Sequence, residues 1–304
     1  MTNNNYHIPV LLQETIAALN INPSGIYVDC TFGGGGHSKH ILEQLNEKGK
    51  LIAFDQDEDA KKNLLDDERF LFVPHNFRHL QRFLRLYKID KIDGLLADLG
   101  VSSHQFDEGS RGFSTRFDGP FDMRMNVQQE LTAQQIISTY TAQKLQWIFQ
   151  EYGQVTNAKN LAAHIVQNRT NAQFETIAQF KTFISAFVKG NPNKYLAQVF
   201  QALRIEVNDE VGALKEMLLQ LLNVLKVEGR VAIITFHSLE DRLVKNYFKN
   251  EGFEVEIDSN PFSTEVKEKK FRAVNKKPIE ASEEELKQNN RSRSAKLRVV
   301  EFLG

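Results

Sequence analysis

Residues 25–57 read GIYVDCTFGGGGHSKHILEQLNEKGKLIAFDQD, and this stretch decides the fold. Ile26, Tyr27 and Val28 form a short apolar run of the kind buried as a strand. Four consecutive glycines at 33–36 break it, and Ile41, Leu42 and Leu45 then resume at helical spacing. The pattern predicts strand, tight turn and helix. A second apolar run, Leu51-Ile52-Ala53-Phe54, ends on Asp55, about twenty residues beyond the glycines, the separation at which a ribose-binding acid follows a glycine-rich nucleotide loop. Glycine lacks a Cβ, so the backbone of such a turn can take positive φ and lie against a ligand, while an acid on the next strand accepts hydrogen bonds from sugar hydroxyls.

Several ligands use such a unit. A dinucleotide fingerprint wants G-x-G-x-x-G; Gly33 and Gly35 fit, but Ser38 stands at the third glycine. A P-loop needs Gly-Lys-Ser/Thr, and Gly36-His37-Ser38 lacks the lysine. Asp29, just before the loop, would repel a pyrophosphate and suits a ligand whose inner end carries an ammonium, as the methionine part of S-adenosylmethionine does. A glycine-rich turn that binds nothing is the alternative on this segment alone.

The chain has 304 residues, 41% hydrophobic and 25% charged, enough for one large core or two modest ones, with the length favouring two domains. Its net charge of −1 excludes a uniformly basic protein and leaves room for a local basic surface. The single cysteine, Cys30, cannot form an internal disulfide and there is no cysteine cluster for a metal, so a reducing compartment is expected and no metal site. The first residues have no basic and apolar leader, and no apolar run approaches a membrane span. The expectation is a soluble cytoplasmic protein.

Outward from the glycine stretch, Val10, Leu11, Ile16, Ala17 and Leu19 predict a preceding helix beside the loop. After Asp55 follow a short helix over 60–65, a third strand over 70–73 halted by Pro74, Phe77 at its carboxyl end, a helix over 78–87 and a fourth strand over 92–96 running into Ala97-Asp98-Leu99-Gly100. Such alternation implies a parallel sheet with its ligand site at the carboxyl ends of the strands, where the glycine loop, Asp55, Phe77 and Asp98 all fall. Residues 104–126 are too glycine-punctuated for a helix and too aromatic for an idle linker, and a loop of that length is usually functional or disordered. From Thr132 to about Ala202 the apolar spacing is helical. The α/β pattern returns from Ile205 with a helix over 209–225, a fifth strand over 231–235, a helix over 243–248, and two closing strands over 253–257 and 297–302 expected to pair antiparallel. The expected architecture is therefore α/β: a Rossmann-like seven-stranded sheet of the class I methyltransferase kind from residues 1–103 and 205–304, with an inserted loop and helical substrate-recognition domain over 104–204.

With these motifs placed, the chain closely resembles the bacterial 16S ribosomal RNA (cytosine-N4)-methyltransferase family. The resemblance runs nearly end to end, through His7-x-Pro9-Val10-Leu11, Asp29-Cys30-Thr31-Phe32 with the glycine loop and His37, Phe54-Asp55-Gln56-Asp57, Asp93-Gly94-Leu95-Leu96-Ala97-Asp98-Leu99-Gly100-Val101-Ser102-Ser103, Arg111-Gly112-Phe113-Ser114, Asp118-Gly119-Pro120-Phe121-Asp122-Met123-Arg124-Met125, Phe200-Gln201-Ala202-Leu203-Arg204-Ile205 and Phe236-His237-Ser238-Leu239-Glu240-Asp241-Arg242. Each motif alone is weak; their joint order is specific. The resemblance implies S-adenosylmethionine as cofactor, with contacts on Gly35, Gly36, His37, Asp55, Phe77, Asp98 and Gln105. The implied partner is 16S ribosomal RNA or the small ribosomal subunit, methylated on the N4 amine of a decoding-region cytidine. Two positions depart from the family's habit: Gly34 and Gln198 stand where arginine is frequent. Two alternatives stay open, an amino-methyltransferase acting on another nucleic-acid base and a non-enzymatic ribosome-assembly factor.

An exocyclic cytosine amine is a poor nucleophile, because its lone pair is delocalised into the ring. An enzyme must hold it in line with the methyl donor and accept its N–H bonds as charge develops. Asp98 is the candidate catalytic residue for that role, in competition with a role as cofactor contact alone. A structured RNA base must also be swung out and stacked. Phe106, Phe113, Phe117, Phe121 and Phe236 are candidates, against ordinary core packing for each, with Arg111, Arg116 and Arg124 for phosphates. His37 and His237 are candidates to titrate near neutrality, against a hydrogen bond at a helix start for His37 and orientation of a pocket for His237, and Asp118, Asp122, Glu240 and Asp241 are expected to be solvated or paired with Arg124 and Arg242. A basic segment of Lys267, Lys269, Lys270, Arg272, Lys276 and Lys277, continued by Arg291, Arg293, Lys296 and Arg298, supplies charge for an RNA backbone or is a solvated loop.

Overall fold

The computed structural model describes residues 9–253 and 268–304. They form two compact units, one lying within residues 1–100 and 212–304, the other made of residues 101–211.

The first unit is built on one sheet. Its strands are β1 (Ile26–Asp29), β2 (Lys50–Phe54), β3 (Phe70–Val73), β4 (Ile92–Asp98), β5 (Leu225–Thr235), β6 (Phe271–Ala273) and β7 (Lys296–Phe302). Their order is β3-β2-β1-β4-β5-β7-β6. The first five are parallel, whereas β7 runs antiparallel to both β5 and β6. This is the Rossmann-like sheet of class I methyltransferases. The inner strands read as unbroken apolar runs because both faces are covered. On one face, Leu19 of helix Leu12–Leu19 and Ile41 and Leu42 of helix Gly36–Gln44 join Leu51, Leu96, Ala232 and Ile234 in a single buried cluster. Elsewhere in the unit, Gln220 of helix Glu210–Val224 donates to Arg78 O at 2.8 Å and accepts from Gln81 N at 2.8 Å, clamping the start of helix Leu80–Leu86. No helix among the described residues is long and apolar enough to cross a membrane.

The second unit carries helices Ala133–Thr139, Ala142–Glu151, Ala158–Asn168, Ile177–Ile184 and Pro192–Asn208. Polar residues start them: Thr132 and Thr176 close capping boxes with Gln135 and Gln179, and Thr141 and Asn191 accept from the backbone N–H three residues on. Ile136, Ile148, Phe149, Leu161, Phe180 and Val199 are fully buried in its core.

Five expectations change in detail. Residues 205–208 are the last turn of helix Pro192–Asn208. The short helix over 60–65 is a 3₁₀ segment, Glu58–Asn63, capped by Asp57. The helix expected over 243–248 begins at Ser238, because His237 Nδ1 accepts from Glu240 N and so starts it earlier. Residues 104–126 hold a short helix, Ser103–Asp107, and a 3₁₀ turn, Gly109–Arg111, because Ser102 and Gln105 form a capping box. The strand expected over 253–257 lies outside the described residues from 254 onward. Among the described residues β6 is the strand on the outer side of β7, where Phe271 packs on Phe302 and Phe248 with ring centroids 5.4 and 5.1 Å apart. Three residues flanked by lysines are too few to show a strand period.

Candidate active site

The carboxyl end of the sheet brings the candidate acids together through strand register. Asp29 at the end of β1 lies opposite Ala53 on β2 and Leu96 on β4. Two residues further along each chain come Thr31, Asp55 and Asp98, so the two acids flank Thr31 on one rim. Backbone bonds extend the pairing past the strands: Cys30 N donates to Leu96 O at 2.8 Å, and Phe32 N to Phe54 O at 2.9 Å.

The glycine loop crosses this rim and enters helix Gly36–Gln44. Gly35 is its N-cap at φ 75°, where a side chain would be strained. A Cβ on Gly36 would lie 2.2 Å from Pro9 Cγ, so close packing of the preceding segment demands glycine there. At Gly34 a Cβ meets nothing within 4 Å, so the departure from the family's arginine is sterically free.

Asp55 receives Gly33 N–H at 2.8 Å on Oδ2 and Asp57 N–H at 2.8 Å on Oδ1. Burial raises its carboxyl to about 6 against the opposing effect of those bonds, with the Asp57 and Asp29 charges adding to the rise. Phe77 starts the 3₁₀ turn Phe77–His79 beyond β3. It sits beside the end of β2 because Asn76 Nδ2 donates to Gln56 Oε1 at 2.9 Å and Asp55 N to Val73 O at 3.2 Å.

Asp98 is held by its backbone, its N–H donating to Thr31 Oγ1 at 2.7 Å. Its side chain is 24% exposed, yet Oδ1 is enclosed without a hydrogen-bond partner. Burial, then the charges of Asp29 and Glu240, push the carboxyl well above its ordinary value. Oδ2 lies 3.9 Å from Nδ1 of the buried His37. His37 Nε2 is 3.1 Å from Val10 O, and a carbonyl only accepts, so Nε2 carries the proton and Nδ1 turns a lone pair toward Asp98. Burial lowers this imidazole to about 4, so the pair is neutral His beside acid and not an ion pair.

Asp29 does not present a free carboxylate to a ligand, contrary to the reading of its position. It is 1% exposed and accepts from Ser38 Oγ at 2.7 Å and Thr31 N at 3.0 Å, with Thr31 Oγ1 further off at 3.4 Å. Burial raises its carboxyl while these bonds oppose the rise. Asp29 therefore braces the loop, and Thr31 relays that brace to Asp98. Thr31 and Ser38 were not evident as site residues; the one clue is a hydroxyl two residues past a buried strand.

The structure therefore brings Gly35, Gly36, His37, Asp55, Phe77 and Asp98 to one rim. Gln105 belongs to the second unit, where it is 4% exposed and its Oε1 accepts from Ser102 N at 3.0 Å. Two arginines expected for phosphates serve the fold there. Arg111 donates to the carbonyls of Arg124 and Met125, both at 3.1 Å, and Arg124 grips Asp122 and the carbonyls of Val127 and Gln129. Asp118 caps helix Ile177–Ile184 by accepting from Ala178 N at 2.9 Å. Asp241 pairs with Arg298 at 2.7 Å, where Arg242 was expected. Glu240 is buried and accepts from Phe236 N at 2.9 Å; His237 Nε2 lies 3.0 Å from Glu240 Oε1 but out of line for a hydrogen bond. Lys267 lies outside the described residues, while Lys269, Lys276, Lys277 and Arg293 are exposed.

The model of the MraW methylase family matches residues 4–303. A protein named Ribosomal RNA small subunit methyltransferase H from Bacteroides fragilis strain YCH46 is 51% identical over 297 residues, 97% of each chain. Proteins of the same name from Parabacteroides distasonis and Christiangramia forsetii are 52% identical over 298 residues and 51% over 300, covering 97% and 98% of each chain. With a family model matched over residues 4–303 and relatives about half identical along nearly the whole length, the chain belongs to the MraW methylase family.

Proposed function

We propose that this protein transfers a methyl group from S-adenosylmethionine to the N4 amine of a cytidine in the decoding region of 16S ribosomal RNA, as free RNA or within the small subunit. The family match over residues 4–303 carries the reading, and the relatives' shared name supports small-subunit ribosomal RNA as substrate. Such a substrate places the protein in the cytoplasm.

The residues at the rim fit the cofactor. An enclosed, partnerless Asp98 oxygen calls for a donor or cation, and Asp55 faces the same rim with a carboxylate that ionises near neutrality. In this reading Asp55 accepts the ribose hydroxyls, Gly35 and Gly36 allow close backbone approach, and Phe77 packs on the base. His37, Asp98 and Gln105 complete the contacts. Bound S-adenosylmethionine supplies a methyl group on a cationic sulfonium. Asp98 accepts the N–H bonds of the target amine as positive charge develops on it, and its own ionisation becomes favourable beside a cation. Thr31 holds the Asp98 backbone in place. The second unit takes the substrate-recognition role.

Methyl transfer to small subunits prepared without this protein, followed by locating the modified base, tests the reaction; label on another base or none at all would reject it. Asp98→Asn tests the residue. Loss of turnover with cofactor affinity retained supports amine acceptance, and loss of affinity with unchanged turnover defeats it.

A further inference from the structure

The second unit separates its aromatic residues sharply. Phe113 and Phe121 are 5% and 2% exposed in its core, and Phe106 packs partly buried against it. Phe117 is 44% exposed, the one phenylalanine among the exposed large apolar side chains of the described residues. Beside it, the Arg116 guanidinium lies 5.6 Å from the Phe117 ring centroid and 5.1 Å from that of Phe106, with its side chain 58% exposed.

The turn that presents this pair is pinned on several sides. Lys181 Nζ donates to Thr115 O at 2.9 Å, Asp118 accepts from Ala178 N, and Ile177 N donates to Gly119 O at 3.0 Å. Arg116 N donates to Oγ of the buried Ser114 at 3.2 Å. Gly109 and Gly119 let two backbone segments touch beneath the ring, since a Cβ on Gly119 would stand 2.2 Å from Gly109 O. An apolar ring left 44% exposed on a fixed turn contributes less to folding than a buried one. Together with a cation it forms a stacking platform with a phosphate contact at its edge, the arrangement that takes an unstacked nucleotide.

We propose that Phe117 and Arg116 form a platform for one single-stranded RNA nucleotide, the base on the Phe117 ring and a phosphate on Arg116. The proposal rests on the RNA-methyltransferase reading and names one of its contacts. Asp107 is the built-in competitor: it pairs with Arg116 at 3.1 Å while 55% exposed, an ion pair weak enough for a phosphate to displace. Removing the Asp107 charge therefore strengthens RNA binding, a sign that a purely structural role of this pair would not produce.

Phe117→Ala, Phe117→Trp and Asp107→Asn are compared with wild type in methyl transfer to unmodified small subunits, in anisotropy with a labelled single-stranded oligoribonucleotide, and in calorimetry with S-adenosylmethionine. The expected result is roughly ten-fold weaker RNA binding for Phe117→Ala, recovery in Phe117→Trp, tighter binding in Asp107→Asn, and one cofactor affinity throughout. RNA binding and KM unchanged in Phe117→Ala overturn the platform while wild-type turnover keeps the methyltransferase reading. A loss on subunits with no loss on the oligoribonucleotide assigns the ring to a ribosomal protein and also overturns it. Wild type inactive on subunits, with Phe117→Ala still weakening oligoribonucleotide binding, would reject the methyltransferase reading and keep the platform.

Discussion

The tie between Thr31 and Asp98 makes the most direct test of how this rim is held. Thr31→Val keeps the side-chain shape and deletes the oxygen that accepts Asp98 N–H at 2.7 Å. The contact to Asp29 at 3.4 Å is long and contributes little. What is lost is the partner of one backbone donor at a largely enclosed strand end, a cost of about 1–3 kcal/mol. That predicts Asp98 amide exchange faster by roughly 5- to 150-fold, since about 1.4 kcal/mol is a factor of ten. Cofactor affinity and turnover fall with it, because Asp98 is no longer fixed in height above the sheet. Thr31→Ser keeps the oxygen and restores most of both. Hydrogen exchange and calorimetry with S-adenosylmethionine read the result, and unfolding is followed by circular dichroism, since Trp147 belongs to the second unit. Wild-type exchange and affinity in Thr31→Val, or Ser behaving as badly as Val, would refute the reasoning.

Further outcomes follow from the same geometry. Asp55 is raised to about 6 from 3.8, so the stability its proton confers on the free protein is present below about 4 and lost as pH rises through 6; ribose hydroxyls bond more strongly to the ionised form, so cofactor affinity rises over that window, with Asp98 acting in the same direction. Calorimetry from pH 5 to 8 checks this, and a flat profile contradicts it. Gly36→Ala forces a Cβ into Pro9 and costs about 1–3 kcal/mol, whereas Gly34→Arg enters open space and stays within about 0.5 kcal/mol; urea midpoints of the two variants decide. Asn208 accepts from Met125 N at 2.7 Å and donates to Met123 O and Arg204 O at 2.8 and 2.9 Å. Asn208→Ala leaves those groups unpaired and lowers the stability of the second unit by about 2–4 kcal/mol, read by Trp147 fluorescence.

What the sequence determined by itself is local. The run from Ile26 to Asp55 encodes strand, glycine turn, helix and strand in the spacing of neighbours along the chain, and a parallel sheet leaves Asp55 and Asp98 no place but its carboxyl rim. The helices of the second unit were legible for the same reason, from apolar period; their threonine and asparagine caps emerged with the structure. Only the tertiary structure decided which of several chemically identical side chains face outward. Phe113, Phe117 and Phe121 share one loop, and burial depends on helices far along the chain, as when Phe121 stacks on Phe180 at 4.5 Å. Arg111 and Arg124 were indistinguishable from Arg116 until the carbonyls they bind came into reach. Asp29 looked like a ligand contact because its partner Ser38 lies nine residues on, across the glycine turn, and Thr31 gained its role only when β4 brought the Asp98 N–H beside it. Periodicity is a property of adjacent residues, whereas hydrogen-bond satisfaction is settled by contacts that form when distant segments pack.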